Sequence, residues 1–279
     1  HVPFCERRCG YCAFATVAVG ERVDPAVADR YLRCIEAELA SVGSLLPPGR
    51  GPASTVYLGG GTPTMLDQQQ MARLLRAVAD QVSLADDVEI TVESNPDGLV
   101  PGQLESLRDA GVNRISFGLQ SVQPRVLALL DRTHDPQLAL DTVRRARVAG
   151  FDHVGLDLIL GTPGERSDDV ERSVLAAIDS GVDHVSAYAL SVEPGTKLAA
   201  RVRAGELPAP SDDDAAARYV RADELLTAAG FEWYEMSNWA RAPQARSRHN
   251  LLYWRNHDWW GLGPSAHSHV AGRRWWNHA

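Results

Sequence analysis

Cys5, Cys9 and Cys12 stand at the head of the chain with three and then two residues between them. Thiolates are soft ligands that favour iron-sulfur clusters or zinc. A structural zinc wants a fourth protein ligand and usually comes as paired CxxC units. Three thiolates instead suit three corners of a [4Fe-4S] cube, with the fourth iron left open. An open iron can chelate an amine and a carboxylate, and the methionine end of S-adenosylmethionine offers both. Reduction of the adjacent sulfonium would break its bond to the 5′-carbon, so the segment reads as a reductive cluster site whose chemistry is carried by the cofactors. Tyr11, next to the last cysteine, is expected to shield cluster and adenine from water. Three clustered thiols and a distant Cys34 suit a reducing cytoplasm better than a disulfide, and Cys34, inside a helical pattern, is expected to be a small core residue.

Two further constellations carry chemistry. Gly59-Gly60-Gly61-Thr62-Pro63-Thr64 follows an apolar run, and its glycines allow the backbone to approach a ligand closely. It lacks the lysine and the spacing of a phosphate loop. Glu93, Gln120, Arg132 and Asp157 are the polar groups expected around the same ligand: the carboxylates accept from ribose hydroxyls or an ammonium group, and Arg132 forks onto a carboxylate. The second constellation is Ser247-Arg248-His249-Asn250-Leu251-Leu252-Tyr253-Trp254, followed by Gly261 to His267. A neutral His249 could hold haem iron axially; the ordinary alternative is a hydrogen-bonded histidine packed among aromatics.

The elements that must position these residues read as parallel βα units. Apolar runs at Thr55 to Leu58, Val88 to Val92, Arg114 to Gly118, Val154 to Leu160 and His184 to Leu190 each meet a polar group near their carboxyl end, which in a parallel barrel faces the active side. A remnant at His1 to Phe4 would make six strands. Helices are predicted over Pro25 to Val42, Asp67 to Val82, Pro101 to Ala110, Gln137 to Ala149 and Asp168 to Ser180, with Gly43, Gly111, Gly150 and Gly181 as stops. The turn-rich stretch Ala204 to Ser211 then suggests a division into a barrel, residues 1–203, and a different region, residues 204–279, which opens with a helix over Asp212 to Ala229.

That last region differs in composition. From Arg241 onward there are six arginines against one acid, Asp258, and all seven tryptophans lie between Trp233 and Trp276. A planar apolar ligand edged with carboxylates would suit the mixture; so would a small aromatic subdomain with a solvated arginine rim. The net charge of −8 argues against a general nucleic-acid binder. No apolar run approaches the roughly 20 residues of a membrane span and no secretory leader is evident, so a soluble, cytoplasmic protein is expected.

The segments HVPFCERRCGYCAF, YLGGGTPTML, ITVESNPD, RISFGLQS, LDLILGTPGE, YEMSNWAR and HNLLYW together resemble those of the radical S-adenosylmethionine family of oxygen-independent coproporphyrinogen III oxidases and their haem-chaperone relatives. The resemblance spans the whole chain. It implies an α/β fold, a partial (β/α)6 TIM-like barrel followed by the start of a smaller C-terminal domain, beyond which relatives continue past the position of Ala279. It also implies a cluster on Cys5, Cys9 and Cys12, and S-adenosylmethionine contacts from Tyr11, Gly60, Gly61, Thr62, Glu93, Gln120, Arg132 and Asp157. The oxidases carry a further cysteine two positions after the last cluster cysteine, where this chain has Phe14, so it is more similar to the chaperone branch. In that branch the HNLLYW segment is associated with haem, which makes His249, Asn250, Tyr253 and Trp254 the expected cargo contacts. The implied partners are haem or a porphyrin, haem-accepting respiratory proteins, an electron donor and a transient membrane contact. Oxidation of coproporphyrinogen III is the alternative activity.

Overall fold

The computed structural model describes residues 1–45, 49 and 51–278. In chain order it contains β1 (Phe4–Cys5), β2 (Val17–Ala18), α1 (Pro25–Leu45), β3 (Ala53–Leu58), α2 (Gln68–Gln81), β4 (Leu84–Ser94), α3 (Gln103–Asp109), β5 (Arg114–Gln120), α4 (Pro124–Leu129), α5 (Pro136–Val148), β6 (His153–Leu160), α6 (Ser167–Asp179) and β7 (His184–Ala189). There follow α7 (Lys197–Arg203), α8 (Asp212–Ala228), β8 (Glu232–Glu235), β9 (Asn238–Ala240), α9 (Arg248–Trp254) and the hairpin β10 (His267–Val270) and β11 (Arg273–Trp276). Seven strands form one curled half-barrel sheet in the order β3-β4-β5-β6-β7-β9-β8. The first five are parallel, as the βα alternation predicts, and β9 and β8 join antiparallel.

Strand alternation divides the molecule into two layers. Val92, Ile115, Phe117, Leu156 and Val185 are fully buried against the helices, whose Leu74, Leu104, Val143, Val174 and Leu226 complete the core. The residues between them, Thr91, Glu93, Arg114, Ser116, Asp157, His184 and Ser186, line the concave side, because successive side chains on a strand point to opposite faces. Helices stop where the sequence places Gly111, Gly150 and Gly181, at φ of 94°, 86° and 84°, the left-handed region that costs glycine little.

Several expectations are corrected. The sixth strand is reduced to one parallel bridge, Val2 to Gly60, and to the two-residue pairing of β1 with β2. Pro3 has no amide to give a ladder, and its carbonyl accepts from the Val17 amide at 2.7 Å. Cys34 is exposed rather than in the core; Leu32, Ile35 and Leu39 hold the buried face of α1. Gly43 does not stop that helix, which runs to Leu45. The short helices α4 and α7 are additional to those predicted. From the region after residue 204, β8 and β9 join the sheet. No helix among the described residues is long and apolar enough to cross a membrane.

Candidate functional site

The cysteine loop sits on the glycine loop. Val2 donates its amide to the Gly59 carbonyl at 2.9 Å, Gly61 donates to Val2 at 2.8 Å and Thr62 to Phe4 at 2.7 Å. A Cβ on Gly61 would stand 2.6 Å from the Phe4 carbonyl oxygen, and one on Gly59 would stand 2.7 Å from a Glu93 carboxylate oxygen. The close approach Gly61 permits is therefore, first of all, to the protein's own N-terminal segment, and that of Gly59 is to the Glu93 carboxylate. The other end of the loop is tied down at Gly10, whose amide donates to Leu130 at 3.1 Å and whose carbonyl accepts from Leu198 of α7 at 2.8 Å.

Cys5, Cys9 and Cys12 are half-buried and free. The Thr62 hydroxyl lies 3.9 Å from the Cys5 sulfur and Arg132 Nη1 lies 3.6 Å from that of Cys9. Burial, with the neighbouring cysteines adding to it, pushes the Cys5 thiol up. Among the described residues no three His, Cys, Asp or Glu side chains are grouped to hold a single metal ion, as one tetrahedral zinc would require. A cube asks for something else, one thiolate on each of three separate irons, and three unpaired thiols on one well-anchored loop fit that demand.

Arg132 spans the mouth of the barrel. Its Nη1 donates to Asn95 Oδ1 at 2.8 Å and its Nη2 to the Gly118 carbonyl at 3.0 Å, while Nε is buried without a partner. Within the protein it thus forks onto an amide and a carbonyl, and an orphaned buried donor is left. A Cβ on Gly118 would stand 2.5 Å from Arg132 Nη2 and 2.7 Å from Gln120 Nε2, so it would push both side-chain ends aside. Gln120 ends β5 in the left-handed region at φ 63°, where the pairing with β6 shifts by one residue. Such strain in a non-glycine residue clusters at functional sites. The Tyr11 ring packs on Val126, Leu130 and Ile159; burial pushes its phenol up, against the pull of nearby Arg132.

Glu93 and Asp157 meet at the same mouth. Glu93 accepts from the Tyr57 hydroxyl at 2.6 Å and from the Gly60 amide at 3.1 Å, and Asp157 accepts from Ser116 at 3.1 Å. Burial pushes both carboxyls up, and for Glu93 the Asp157 charge adds to the rise. Neither has an ion pair within 4 Å among the described residues. Two desolvated carboxylates of this kind suit a ligand that brings a cation and hydroxyls.

Below the mouth lies a cavity of about 240 Å³ lined by Tyr57, Arg114, His184, Tyr188, Asn238 and α9 residues His249, Asn250 and Tyr253. It adjoins an open apolar shelf of about 420 Å³ formed by Tyr188, Met236, Asn250, Tyr253 and Trp254. Asn250, Tyr253 and Trp254 thus come together at one opening. His249 does not face it freely. Nδ1 lies 2.8 Å from Thr55 Oγ1 and Nε2 lies 2.8 Å from the Tyr253 hydroxyl, with the ring stacked on Tyr57. Iron ligation would have to break one of these bonds, so the geometry favours the hydrogen-bonded alternative.

Burial lowers His249 to about 4, against about 6.5 in an unfolded chain. Between those values the unfolded state holds more protons, so stability rises with pH and is lost as pH falls through that window. Urea melts at pH 7 and pH 4.5 should show wild type losing on the order of 2 kcal/mol more than His249→Gln. Equal losses would remove His249 as a source of acid sensitivity.

The sequence reading misses Tyr57, Asn95, Arg114, Ser116, His184, Ser186 and Tyr188. Their signal is present: each lies an even number of residues from a lumen residue on its own strand or at its end.

Known proteins agree with this architecture. The sequence profile of the Radical SAM superfamily matches residues 1–177. The "Heme chaperone HemW" of Mycobacterium tuberculosis (strain ATCC 25618 / H37Rv) is 52% identical over 279 residues, covering 99% of this chain and 70% of that protein. The protein of the same name from Bacillus subtilis (strain 168) is 34% identical, covering 98% and 71%. Among solved structures, the coproporphyrinogen III oxidase HemN of Escherichia coli, described as a radical SAM enzyme, superposes with a TM-score of 0.86 at 26% identity, covering 100% of this chain and 65% of that one. The fold and site define a radical SAM protein of the HemN-like type, and the chain belongs within that superfamily to the HemW family.

Proposed function

We propose that this protein is a cytoplasmic haem chaperone that holds a [4Fe-4S] cluster and S-adenosylmethionine, binds haem and passes it to haem-requiring respiratory proteins. The relatives named as haem chaperones support the activity. The observation that carries it here is the apolar shelf of Tyr188, Met236, Tyr253 and Trp254, open to solvent beside the barrel cavity. An open shelf suits a cargo that must leave again, whereas a substrate under chemistry is better enclosed.

In this reading Cys5, Cys9 and Cys12 hold the cluster, and Tyr11, Gly60, Gly61, Thr62, Glu93, Gln120, Arg132 and Asp157 surround S-adenosylmethionine. When bound and reduced by an electron donor, the cluster supplies one electron to the sulfonium. The chain's own residues orient and desolvate: Glu93 and Asp157 accept from the ligand's cationic and hydroxyl groups, the Arg132 Nε donor is free for a ligand oxygen, and Tyr11 walls off water. Asn250, Tyr253 and Trp254 receive the macrocycle, with His249 holding Tyr253 in place. Delivery brings in the acceptor protein and a transient membrane contact.

A second reading, oxidative decarboxylation of coproporphyrinogen III, is favoured by the HemN superposition and opposed by Phe14, 64% exposed where the resemblance places a further cysteine. One anaerobic experiment separates the two. Reconstituted protein with haem should develop a Soret band, and Cys9→Ser should lose iron. The same preparation with coproporphyrinogen, reductant and S-adenosylmethionine should give no protoporphyrinogen. Product at useful turnover would replace the chaperone reading, and haem uptake no better than that of unrelated proteins would end it.

A further inference from the structure

Resting on the haem-binding reading above, we infer that Arg274 is the residue that grips the carboxylated edge of the cargo, and that it sets the protein's preference for a macrocycle with free propionates. The six arginines of the C-terminal region are not equivalent. Arg241 is taken by the Val182 and Ala229 carbonyls, Arg246 by Glu232 and Arg248 by Asp87. Arg255, exposed at the C-cap of α9, is held there through its backbone amide alone, and its guanidinium makes no ion pair or hydrogen bond among the described residues. Arg273 and Arg274 are exposed on β11, and among the described residues neither makes an ion pair or a hydrogen bond through its side chain.

The hairpin brings only one of these two toward the shelf. Arg274 is the cross-strand partner of His269. The His269 ring packs on Trp259 at 4.8 Å, whose backbone bridges to His269, and Trp259 meets the edge of Tyr253 at 4.7 Å. Cross-strand partners share one face of a hairpin, so Arg274 is carried onto the Trp259 and Tyr253 side. Its positive charge is felt at the Tyr253 hydroxyl. Arg273 pairs with Val270 and, one residue along, takes the opposite face.

The result is an uncommitted guanidinium at the rim of an apolar shelf lined by Tyr253 and Trp254. A rigid five-donor fork of this kind binds carboxylates bidentately. The matching ligand is flat and apolar over most of its area with carboxylates along one edge, the chemistry of a propionate-bearing tetrapyrrole.

The test titrates the full, anaerobically reconstituted protein with haemin and with haemin dimethyl ester, in wild type, Arg274→Gln, Arg274→Lys and Arg273→Gln. Wild type and Arg273→Gln should bind haemin roughly tenfold more tightly than the ester. Arg274→Gln should weaken haemin to the level of the ester while leaving the ester's affinity unchanged, and Arg274→Lys should restore part of the preference. Haemin preference retained in Arg274→Gln would overturn the assignment while leaving haem binding intact. Failure of wild type to bind either compound would overturn the haem reading itself and this inference with it.

Discussion

Glu89→Ala is expected to destabilise the protein by about 3–5 kcal/mol, the cost of breaking a buried ion pair from one side, and to lower Tm by roughly 10 °C. Glu89 and Arg114 are 5% and 3% exposed and 3.8 Å apart on adjacent strands. Arg114 also donates to the Ala245 carbonyl at 2.8 Å. The Glu89 carboxylate does more than neutralise it: one oxygen accepts the Arg248 amide at 3.1 Å and the other the His249 amide at 2.9 Å. These are the first residues of α9, whose amides have no partner within the helix. Ser247 caps the same end by accepting from the Asn250 amide at 3.2 Å. The carboxylate thus fastens the helix that carries His249, Asn250, Tyr253 and Trp254 to the barrel floor.

The loss should therefore appear twice, in urea melts and in haem affinity. The double variant Glu89→Leu with Arg114→Leu separates the effects. Apolar replacement of both partners should recover much of the stability but not the amide acceptors of α9, so haem binding should stay weak. An unchanged melt for Glu89→Ala would show that the pair does not anchor this segment.

The split between what was readable in the sequence and what was not follows from range. Parallel strands and their helices announce themselves locally, through apolar runs and glycine stops, so β3 to β7 and most helices fall where periodicity predicts. The cysteine loop is equally easy to single out because its three cysteines are neighbours in the chain. The failures are long-range. Nothing near Gly61 says that its neighbour in space is Phe4, so the loop reads as a ligand cradle when it first seats the cysteine segment. For His249 the sequence leaves an iron ligand and a hydrogen-bonded histidine both open, and it takes the Thr55 hydroxyl on its Nδ1, 194 residues away, to favour the second. Cys34 sits one position off the buried stripe of α1, an angular error that a helical pattern of small residues does not resolve. Arg114 and Ser116 could have been named by following β5 at period two from Gln120, whereas His184 and Ser186 share the parity of Tyr188, which was missed with them. Polar residues at every second position are the mark of a lumen, and only the topmost of them were taken.

Gly61→Ala is expected to strip most of the iron from the reconstituted protein while the barrel stays folded. A Cβ there would stand 2.6 Å from the Phe4 oxygen, 2.9 Å from the Val2 oxygen and 3.0 Å from the Pro3 carbonyl carbon. All three are backbone atoms, so no side chain can swing aside, and relief requires the segment leading to Cys5 to move as a body. That motion breaks the bonds from Gly61 to Val2 and from Thr62 to Phe4 and draws Cys5 away from Thr62. Overpacking and two lost backbone hydrogen bonds together cost on the order of 2–4 kcal/mol. Val2 and Phe4 belong to the hydrophobic core, but the greater part of it is supplied by the sheet and its helices, so the fold should survive the damage. Iron and sulfide per chain should fall severalfold after anaerobic reconstitution, with a far smaller change in the circular dichroism of the fold. Gly98→Ala is the control: its φ of 82° imposes a backbone strain that Gly61→Ala does not, but a Cβ there meets nothing within 4 Å, so it should keep full iron. If Gly61→Ala also kept it, the glycine loop would not be the seat of the cysteines, and its three glycines would have to be explained by something the barrel binds.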